Sequence, residues 1–295
     1  MKTRSLLFLL IITVSSFSQT VRKFDIEGHR GARGLMPENT IPAFKKAWQL
    51  GVDTLELDMV VTRDGKLVVS HEAWFVPAFS LDKAGKPIAA DKQRENNIYK
   101  MTYAEVKQFD VGSIGNPGFP QQEKMKVAKP LLKDVFKQLA KFARDNKLPT
   151  PRYNIEMKTE IGGDGIYNPA PDAFAKIVLD ELRRSKVEQN VIVQSFDVRM
   201  LQAIRKLTKT IPLALLVSNK DGVEKNIQSL GFDPEIYSPN YLLVDAEMVA
   251  LCRARGIKIL PWTVNEIADL EKMKTFDLDG LITDYPDRAI KVFRK

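Results

Sequence analysis

The sequence predicts an α/β fold, a TIM-type (β/α)8 barrel with a small insertion after the third strand. Three observations support this prediction. From residue 24 onward, short strand-like runs alternate with helical patterns, which favours βα units and a parallel sheet. The chain has 295 residues, a common length for a single barrel domain. Its apolar fraction of 44% is normal for a protein with a sizeable core.

Nine segments have the character of strands: 24–28, 54–60, 67–70, 153–157, 191–196, 213–217, 235–238, 257–264 and 280–283. Helical patterns between them lie at 41–50, 131–146, 171–185, 198–207, 246–255 and 265–276. We expect Asp245 and Asn265 to be N-caps, and Gly51 and Gly256 to end helices. Since the barrel needs eight strands, one of these segments is surplus or pairs only at the rim.

Two connections depart from the βα alternation. Residues 62–65, Thr-Arg-Asp-Gly, leave no room for a helix and predict a hairpin-like turn. Residues from about 74 to 129 form a long insertion after the third segment. Because a barrel loop of this length is usually functional, we expect a small lid on the barrel and not an independent domain.

The N-terminus predicts a signal peptide at residues 1–18, followed by a barrel domain at 24–292. Lys2 and Arg4 precede an apolar run at 6–14, and Ser16-Phe-Ser18 supplies a small-x-small cleavage site. The run is too short for the roughly 20 residues that span a bilayer. The alternative is an uncleaved anchor. We therefore expect a periplasmic or secreted protein without stable membrane insertion.

Charge and cysteine content exclude other classes. The formal net charge is +8, but the basic residues are scattered and form no stripe with interleaved aromatics, so nucleic-acid binding is not expected. Cys252 is the single cysteine, which excludes an intramolecular disulfide. The oligomeric state is left open.

The two histidines of the chain occupy corresponding places. His29 follows the first strand segment and His71 follows the third. In a TIM-type barrel the carboxyl ends of the strands form the active face. Two imidazoles there, with Arg30 beside one of them, can act as general acid and general base in one reaction.

Acidic residues alternate with apolar ones on two strand segments. The i, i+2 spacing of Glu56 and Asp58 points both carboxylates to one face of a strand, and Glu156 and Lys158 repeat the pattern on another. Half-exposed strands would explain one such pair, but the intervening apolar residues are typical of buried positions. Three carboxylates inside a barrel favour one divalent cation, Ca²⁺ or Mg²⁺, over zinc.

Together these motifs resemble the glycerophosphodiester phosphodiesterase family, in its exported bacterial form. They are His-Arg-Gly-x-x-Gly-x-x-Pro-Glu-Asn-Thr from His29, Glu-x-Asp from Glu56, Ser-His at 70–71 and Asn-Ile-Glu-x-Lys from Asn154. The segments 261–265 and 279–286 are also similar to that family. The resemblance covers about residues 24–290.

The resemblance implies a metal-dependent hydrolysis of small-molecule glycerophosphodiesters to glycerol 3-phosphate and an alcohol. In related enzymes the glycerol 2-hydroxyl is thought to attack, giving a cyclic phosphate that water opens. One departure is Glu72, where the family commonly has Asp. The implied roles are acid–base catalysis by His29 and His71, cation binding by Glu56, Asp58 and Glu156, a phosphate clamp of Arg30 and Lys158, and further substrate-site roles for Glu38, Gln194 and Trp262.

Two other functions stay open at this stage. A phospholipase-D-like lyase on the same barrel would act on intact lipids, and the aromatic run at 74–79 would then contact a membrane. A non-catalytic protein would use the same pocket to bind a phosphorylated ligand. The residues do not indicate which histidine is the acid, which cation is bound or which alcohol leaves.

Overall fold

The computed structural model describes residues 23–160 and 162–294, so the predicted signal peptide at 1–18 lies outside the described residues. The strands are β1 (Asp25–Gly28), β2 (Thr54–Val61), β3 (Leu67–Val69), β4 (Arg152–Met157), β5 (Val191–Ser195), β6 (Leu213–Val217), β7 (Ile236–Pro239), β8 (Lys258–Ile259) and β9 (Gly280–Thr283). Eight of them form a nearly closed parallel barrel in the order β8-β7-β6-β5-β4-β2-β1-β9. The predicted (β/α)8 barrel is confirmed.

Backbone hydrogen bonds join the two ends of this strand order. Asp279 N donates to Ile259 O at 3.1 Å, and Ile282 N donates to Pro261 O at 2.9 Å. The strand predicted at 257–264 is shorter in the structure, since regular pairing ends at Ile259. Pro261 has no backbone N–H with which to extend the ladder.

The ninth strand, β3, lies outside the barrel path. It pairs with β2 alone and runs antiparallel to it, with Met59 opposite Val69. The turn predicted at 62–65 is present, and Gly65 there has a φ of 69°, a conformation that favours glycine. His71 therefore reaches the active face by returning along a hairpin. β3 is thus the segment left over once eight strands form the barrel, and its antiparallel pairing agrees with the predicted hairpin-like turn.

Nine α-helices lie in the described ranges: α1 (Ile41–Leu50), α2 (Tyr103–Val106), α3 (Leu132–Asp145), α4 (Pro171–Ser185), α5 (Val198–Leu207), α6 (Val223–Leu230), α7 (Ala246–Ala254), α8 (Ile267–Met273) and α9 (Pro286–Phe293). The sequence pattern does not predict α6 and α9, each of which has eight residues. Asp245 caps α7 and Gly51 ends α1, as expected. Asn265 is not the N-cap of α8, because that helix starts at Ile267 and the Asn265 side chain binds Asp284 instead.

The side chains of β2 divide between the two sides of the sheet. Leu55, Leu57 and Met59 belong to the main apolar core. Glu56 and Asp58 are buried as well, each with 1% exposure. Because side chains alternate along a strand, the two carboxylates point into the barrel. The barrel interior is thus polar at this level.

The segment between β3 and α3 packs on the barrel through a small core of its own. Trp74, Phe75 and Ile98 are buried there with Val60 and Val68 of the β2–β3 hairpin. The first two aromatic residues of the run at 74–79 are therefore used for packing, which removes the reason to place them in a membrane. Among the described residues, no helix has the length and apolar character needed to cross a bilayer.

Candidate active site

The predicted site residues meet at the carboxyl ends of the barrel strands, around a cavity of about 170 Å³. The cavity is lined by His29, Arg30, Arg33, Glu56, His71, Glu156, Gln194, Phe196, Leu216, Trp262, Thr263 and Ile282. The remaining predicted residues, Asp58, Glu38 and Lys158, form ion pairs with residues of this lining. A larger surface cleft of about 490 Å³ lies elsewhere and contains no histidine.

Three carboxylates form a cluster within the barrel. Glu56, Asp58 and Glu156 each offer an oxygen, and these oxygens lie within 4.8 Å of one another. The strand register explains the cluster, because Asp58 lies opposite Glu156 across the β2–β4 ladder. Gln194 Nε2 donates to Glu56 Oε1 at 2.8 Å, and Asn39 Nδ2 donates to Asp58 Oδ2 at 2.8 Å. Both contacts hold the carboxylates in place.

Burial and repulsion disfavour charge on two of these groups. Burial raises the pKa of Glu56 well above its ordinary value, and the charge of Asp58 raises it further. Burial also raises the pKa of Glu156, although Lys158 opposes that effect. Burial would do the same to Asp58, but Arg30 and other nearby cations hold the pKa of Asp58 far below its ordinary value.

These residues fit a hard divalent cation. Asp58 Oδ1 is buried and has no hydrogen-bond partner in the described part of the chain. Such an atom is costly unless it binds something else. Carboxylate oxygens without thiolate ligands suit Ca²⁺ or Mg²⁺. A positive ion would also relieve the repulsion that raises the pKa of Glu56 and Glu156.

His29 is held by an aspartate to which the sequence analysis assigns no role. His29 Nδ1 lies 2.6 Å from Asp284 Oδ1, and Asn265 Nδ2 donates to the other oxygen of Asp284 at 2.8 Å. Burial lowers the pKa of His29, while Asp284 opposes that effect. Burial would raise the pKa of Asp284, but His29 and Arg33 hold it at about 2. One sequence signal could have found this residue, because Asp284 directly follows β9 just as His29 directly follows β1.

His71 lies between the carboxylate of Glu72 and the ammonium group of Lys158. Its Nδ1 is 2.6 Å from Glu72 Oε1, and its Nε2 is 3.1 Å from Lys158 Nζ. Lys158 also donates to Glu156 Oε1 at 2.8 Å. Because the ammonium group only donates, Nε2 accepts and Nδ1 carries the proton that Glu72 accepts. Glu72 thus orients the imidazole, which gives a role to the residue that departs from the family pattern.

The loop after β1 presents two arginines. Arg30 N donates to Glu56 Oε2 at 2.8 Å, and Arg30 Nη1 donates to Glu38 Oε1 at 2.7 Å. Arg33 Nε lies 2.9 Å from Glu38 Oε2. Arg30 and Asn39 have φ values of 49° and 57°, in the left-handed region. Through these contacts Glu38 orients the guanidinium groups of Arg30 and Arg33.

A buried lysine behind His71 is absent from the sequence prediction. Lys129 is 6% exposed, and its Nζ donates to Ser70 Oγ at 2.6 Å. Burial lowers the pKa of Lys129, with Glu72 acting in the opposite direction. Lys129 ends the insertion, so no motif or strand position marked it.

Two aromatic rings form one wall of the cavity. Phe196 and Trp262 pack edge to face with ring centroids 5.3 Å apart. Trp262 Nε1 donates to Ser238 O at 2.8 Å, which fixes the indole. Phe196 is 42% exposed at the cavity mouth. Trp262 and Phe196 thus line the cavity together.

The chain is similar to known proteins of one family over most of its length. A model described as the glycerophosphoryl diester phosphodiesterase family matches residues 29–288. A glycerophosphodiester phosphodiesterase of Caldanaerobacter subterraneus subsp. tengcongensis is 30% identical over 267 residues, 90% of this chain and 96% of that protein. One from Bacillus subtilis is 29% identical and covers 90% of this chain and 84% of its own length.

A solved structure extends the comparison to three dimensions. A protein from Silicibacter pomeroyi, provisionally assigned as a glycerophosphoryl diester phosphodiesterase, has a TM-score of 0.82 and 30% identity. The match covers 92% of this chain and 93% of that one. The family model, the relatives and this structure together establish that the chain belongs to the glycerophosphoryl diester phosphodiesterase family.

Proposed function

We propose that this chain hydrolyses soluble glycerophosphodiesters to glycerol 3-phosphate and an alcohol, with a divalent cation and with His29 and His71 as the acid–base pair. Family membership makes the chain a phosphoric diester hydrolase. One observation carries the finer proposal. Both histidines line the same small cavity as Glu56 and Glu156 of the buried carboxylate cluster.

Glu56, Asp58 and Glu156 would hold the cation. When bound, the ion supplies positive charge that stabilises the phosphoryl oxygens as the reaction proceeds. Lys158 lies beside this cluster, where Glu156 and Asp58 raise its pKa although burial acts in the opposite direction. A charged Lys158 and the Arg30 guanidinium would bind the remaining phosphate oxygens and orient the diester.

His29 is suited to be the general base. Asp284 accepts from its Nδ1, so Nε2 carries a free lone pair. Because burial lowers the pKa of His29, the ring is neutral near pH 7 and can take a proton. His29 would remove the proton of the attacking hydroxyl, and the Asp284 carboxylate would stabilise the imidazolium that forms.

His71 would then protonate the leaving alcohol. Glu72 holds the ring through Nδ1, so that Nε2 is the nitrogen that faces the cavity. Lys158 contacts both Nε2 and Glu156 in this structure. Nε2 would take up a proton from solvent once Lys158 leaves it for the substrate phosphate, and would give that proton to the departing oxygen. With substrate bound, Lys158 would donate to the phosphate and His71 Nε2 would donate to the leaving oxygen.

The test is a panel of glycerophosphodiesters assayed with EDTA and then with added Mg²⁺ or Ca²⁺. Chelation should abolish turnover because three buried carboxylates would lack their counter-ion, and one of the two ions should restore it. Full activity after exhaustive chelation would refute the metal requirement. Lysophospholipid vesicles assayed in parallel distinguish the lipid-directed alternative, and absence of any turnover would favour a binding protein.

We further propose that the protein is exported, on the basis of the charged start, the short apolar run and the cleavage pattern before Gln19.

A further inference from the structure

A second buried acid lies in the barrel, below the carboxylate cluster. Glu27 of β1 is 0% exposed. Its Oε1 has no hydrogen-bond partner in the described part of the chain, and Arg152, the cation that acts to lower its pKa, forms its ion pair with Asp25. Glu27 is not part of the cavity lining and has no role in the proposed mechanism. A carboxylate in this position would be an unpaired buried charge.

A chain of two amides connects Glu27 to the cation site. Asn154 Nδ2 donates to Glu27 Oε2 at 2.8 Å and to Gln194 Oε1 at 3.1 Å. Gln194 Nε2 then donates to Glu56 Oε1 at 2.8 Å. All four side chains are buried, with at most 1% exposure. A continuous path of hydrogen bonds therefore runs from Glu27 to a carboxylate of the cluster.

The two amides can donate toward a Glu56 carboxylate in only one orientation. The Glu56 carboxylate needs a donor, so the amide nitrogen of Gln194 faces Glu56 and its amide oxygen faces Asn154. Asn154 must in turn offer its nitrogen to Gln194, which leaves its Oδ1 pointing elsewhere. Asn154 Oδ1 is buried without a partner, as is Glu27 Oε1. A proton on the Glu27 carboxyl would remove the buried negative charge while Oε2 still accepts from Asn154.

The pKa of Glu27 agrees with a retained proton. Burial raises it well above the ordinary value, and the charge of Asp25 raises it further. The hydrogen bond from Asn154 acts in the opposite direction but is the smaller effect.

We propose that Glu27 is a positioning residue: as a neutral carboxylic acid it accepts the second N–H of Asn154 through Oε2 and so stabilises the Asn154 and Gln194 amides in the orientation that supplies the N–H holding Glu56 for cation binding. This inference rests on the proposed role of Glu56 as a cation ligand. Residues that orient metal ligands in this way typically change metal affinity by about 10–100-fold when they are replaced.

The test measures cation binding directly, by calorimetry and by the cation-induced rise in melting temperature of the purified full chain. Glu27→Met keeps the length of the side chain but removes the acceptor of the Asn154 N–H, and should weaken Mg²⁺ or Ca²⁺ binding by about tenfold or more. Saturating cation should restore kcat to near the wild-type value. Glu27→Gln mimics a neutral acid, with one acceptor and one donor, and should bind the cation as the wild type does.

Thr54→Val is the matched control. Thr54 lies beside Glu27 across the β1–β2 ladder, is fully buried, and donates to Asp25 instead of to the amide chain. Its loss should lower the melting temperature without changing cation affinity. Asn154→Leu breaks the amide chain one step further on and should weaken binding as Glu27→Met does, which keeps the test usable if Glu27→Met does not fold.

The outcomes distinguish failure of the positioning role from failure of the proposed function. Cation binding by Glu27→Met or Asn154→Leu equal to that of the wild type would overturn the positioning role. Weakened binding by Glu27→Gln would mean that Glu27 acts through a negative charge, which also overturns the proposal. Absence of cation binding by the wild-type protein would instead refute the proposed function on which this inference rests.

Discussion

Replacement of Asp284 by Asn tests how His29 is made a base. The change keeps the shape of the side chain but removes the charge that faces Nδ1 at 2.6 Å. The pKa of Asp284 is about 2 in place of 3.8, against the effect of burial, which corresponds to roughly 2 kcal/mol in favour of its ionised form. If most of this stabilisation acts on the protonated His29 during catalysis, kcat should fall about 30-fold.

The pH profile supplies a second readout with a definite sign. Asp284 raises the pKa of His29 against the effect of burial, so its removal lowers that pKa further. Because the base must be deprotonated, the acidic limb of kcat/KM should move to lower pH while the plateau falls. A variant that only disturbs folding would lower activity without moving this limb.

The assay is release of alcohol or phosphate from a glycerophosphodiester between pH 4 and 9, with melting temperature recorded for each variant. Asp277→Asn is the matched control, because Asp277 is a surface residue with 71% of its side chain exposed and pairs with Arg253 away from the cavity. Activity of Asp284→Asn within threefold of wild type, with an unmoved acidic limb, would refute the His29–Asp284 argument.

Two further predictions concern the histidines and the N-terminus. His29→Ala and His71→Ala should each lower kcat by at least about 10²-fold, with far from additive losses in the double variant, because both groups serve one proton-transfer cycle. A nitrophenyl phosphodiester, whose alcohol leaves without protonation, should rescue His71→Ala and not His29→Ala; near-normal kcat of both single variants on a natural substrate would contradict the assignment. Mass spectrometry of protein from a native-like host should find a mature chain starting near Gln19 in the periplasm or medium, and intact Met1 in a cytosolic fraction would contradict export.

Local sequence patterns were sufficient to predict the barrel and to mark most residues of the candidate site. The i, i+2 spacing of Glu56 and Asp58 specifies a shared face because side-chain direction alternates along any strand. The histidines and Arg30 were recognisable because they follow strand segments directly. These features depend on residues that are near one another in the chain, so they can be read without the fold.

Contacts between distant segments were decided only by the tertiary structure. Asp284 meets His29 across 255 positions because β9 pairs with β1. Asn154 meets Glu27 across 127 positions although β2 lies between their strands, because both side chains point into the barrel. No spacing in the sequence marks such a pair. The place of β3 outside the barrel path was also decided by pairing, since a three-residue strand has the same composition whether it joins the barrel or pairs with β2 alone. The sequence by itself thus determined which residues could do chemistry, and barrel closure determined which partners give them their protonation states and positions.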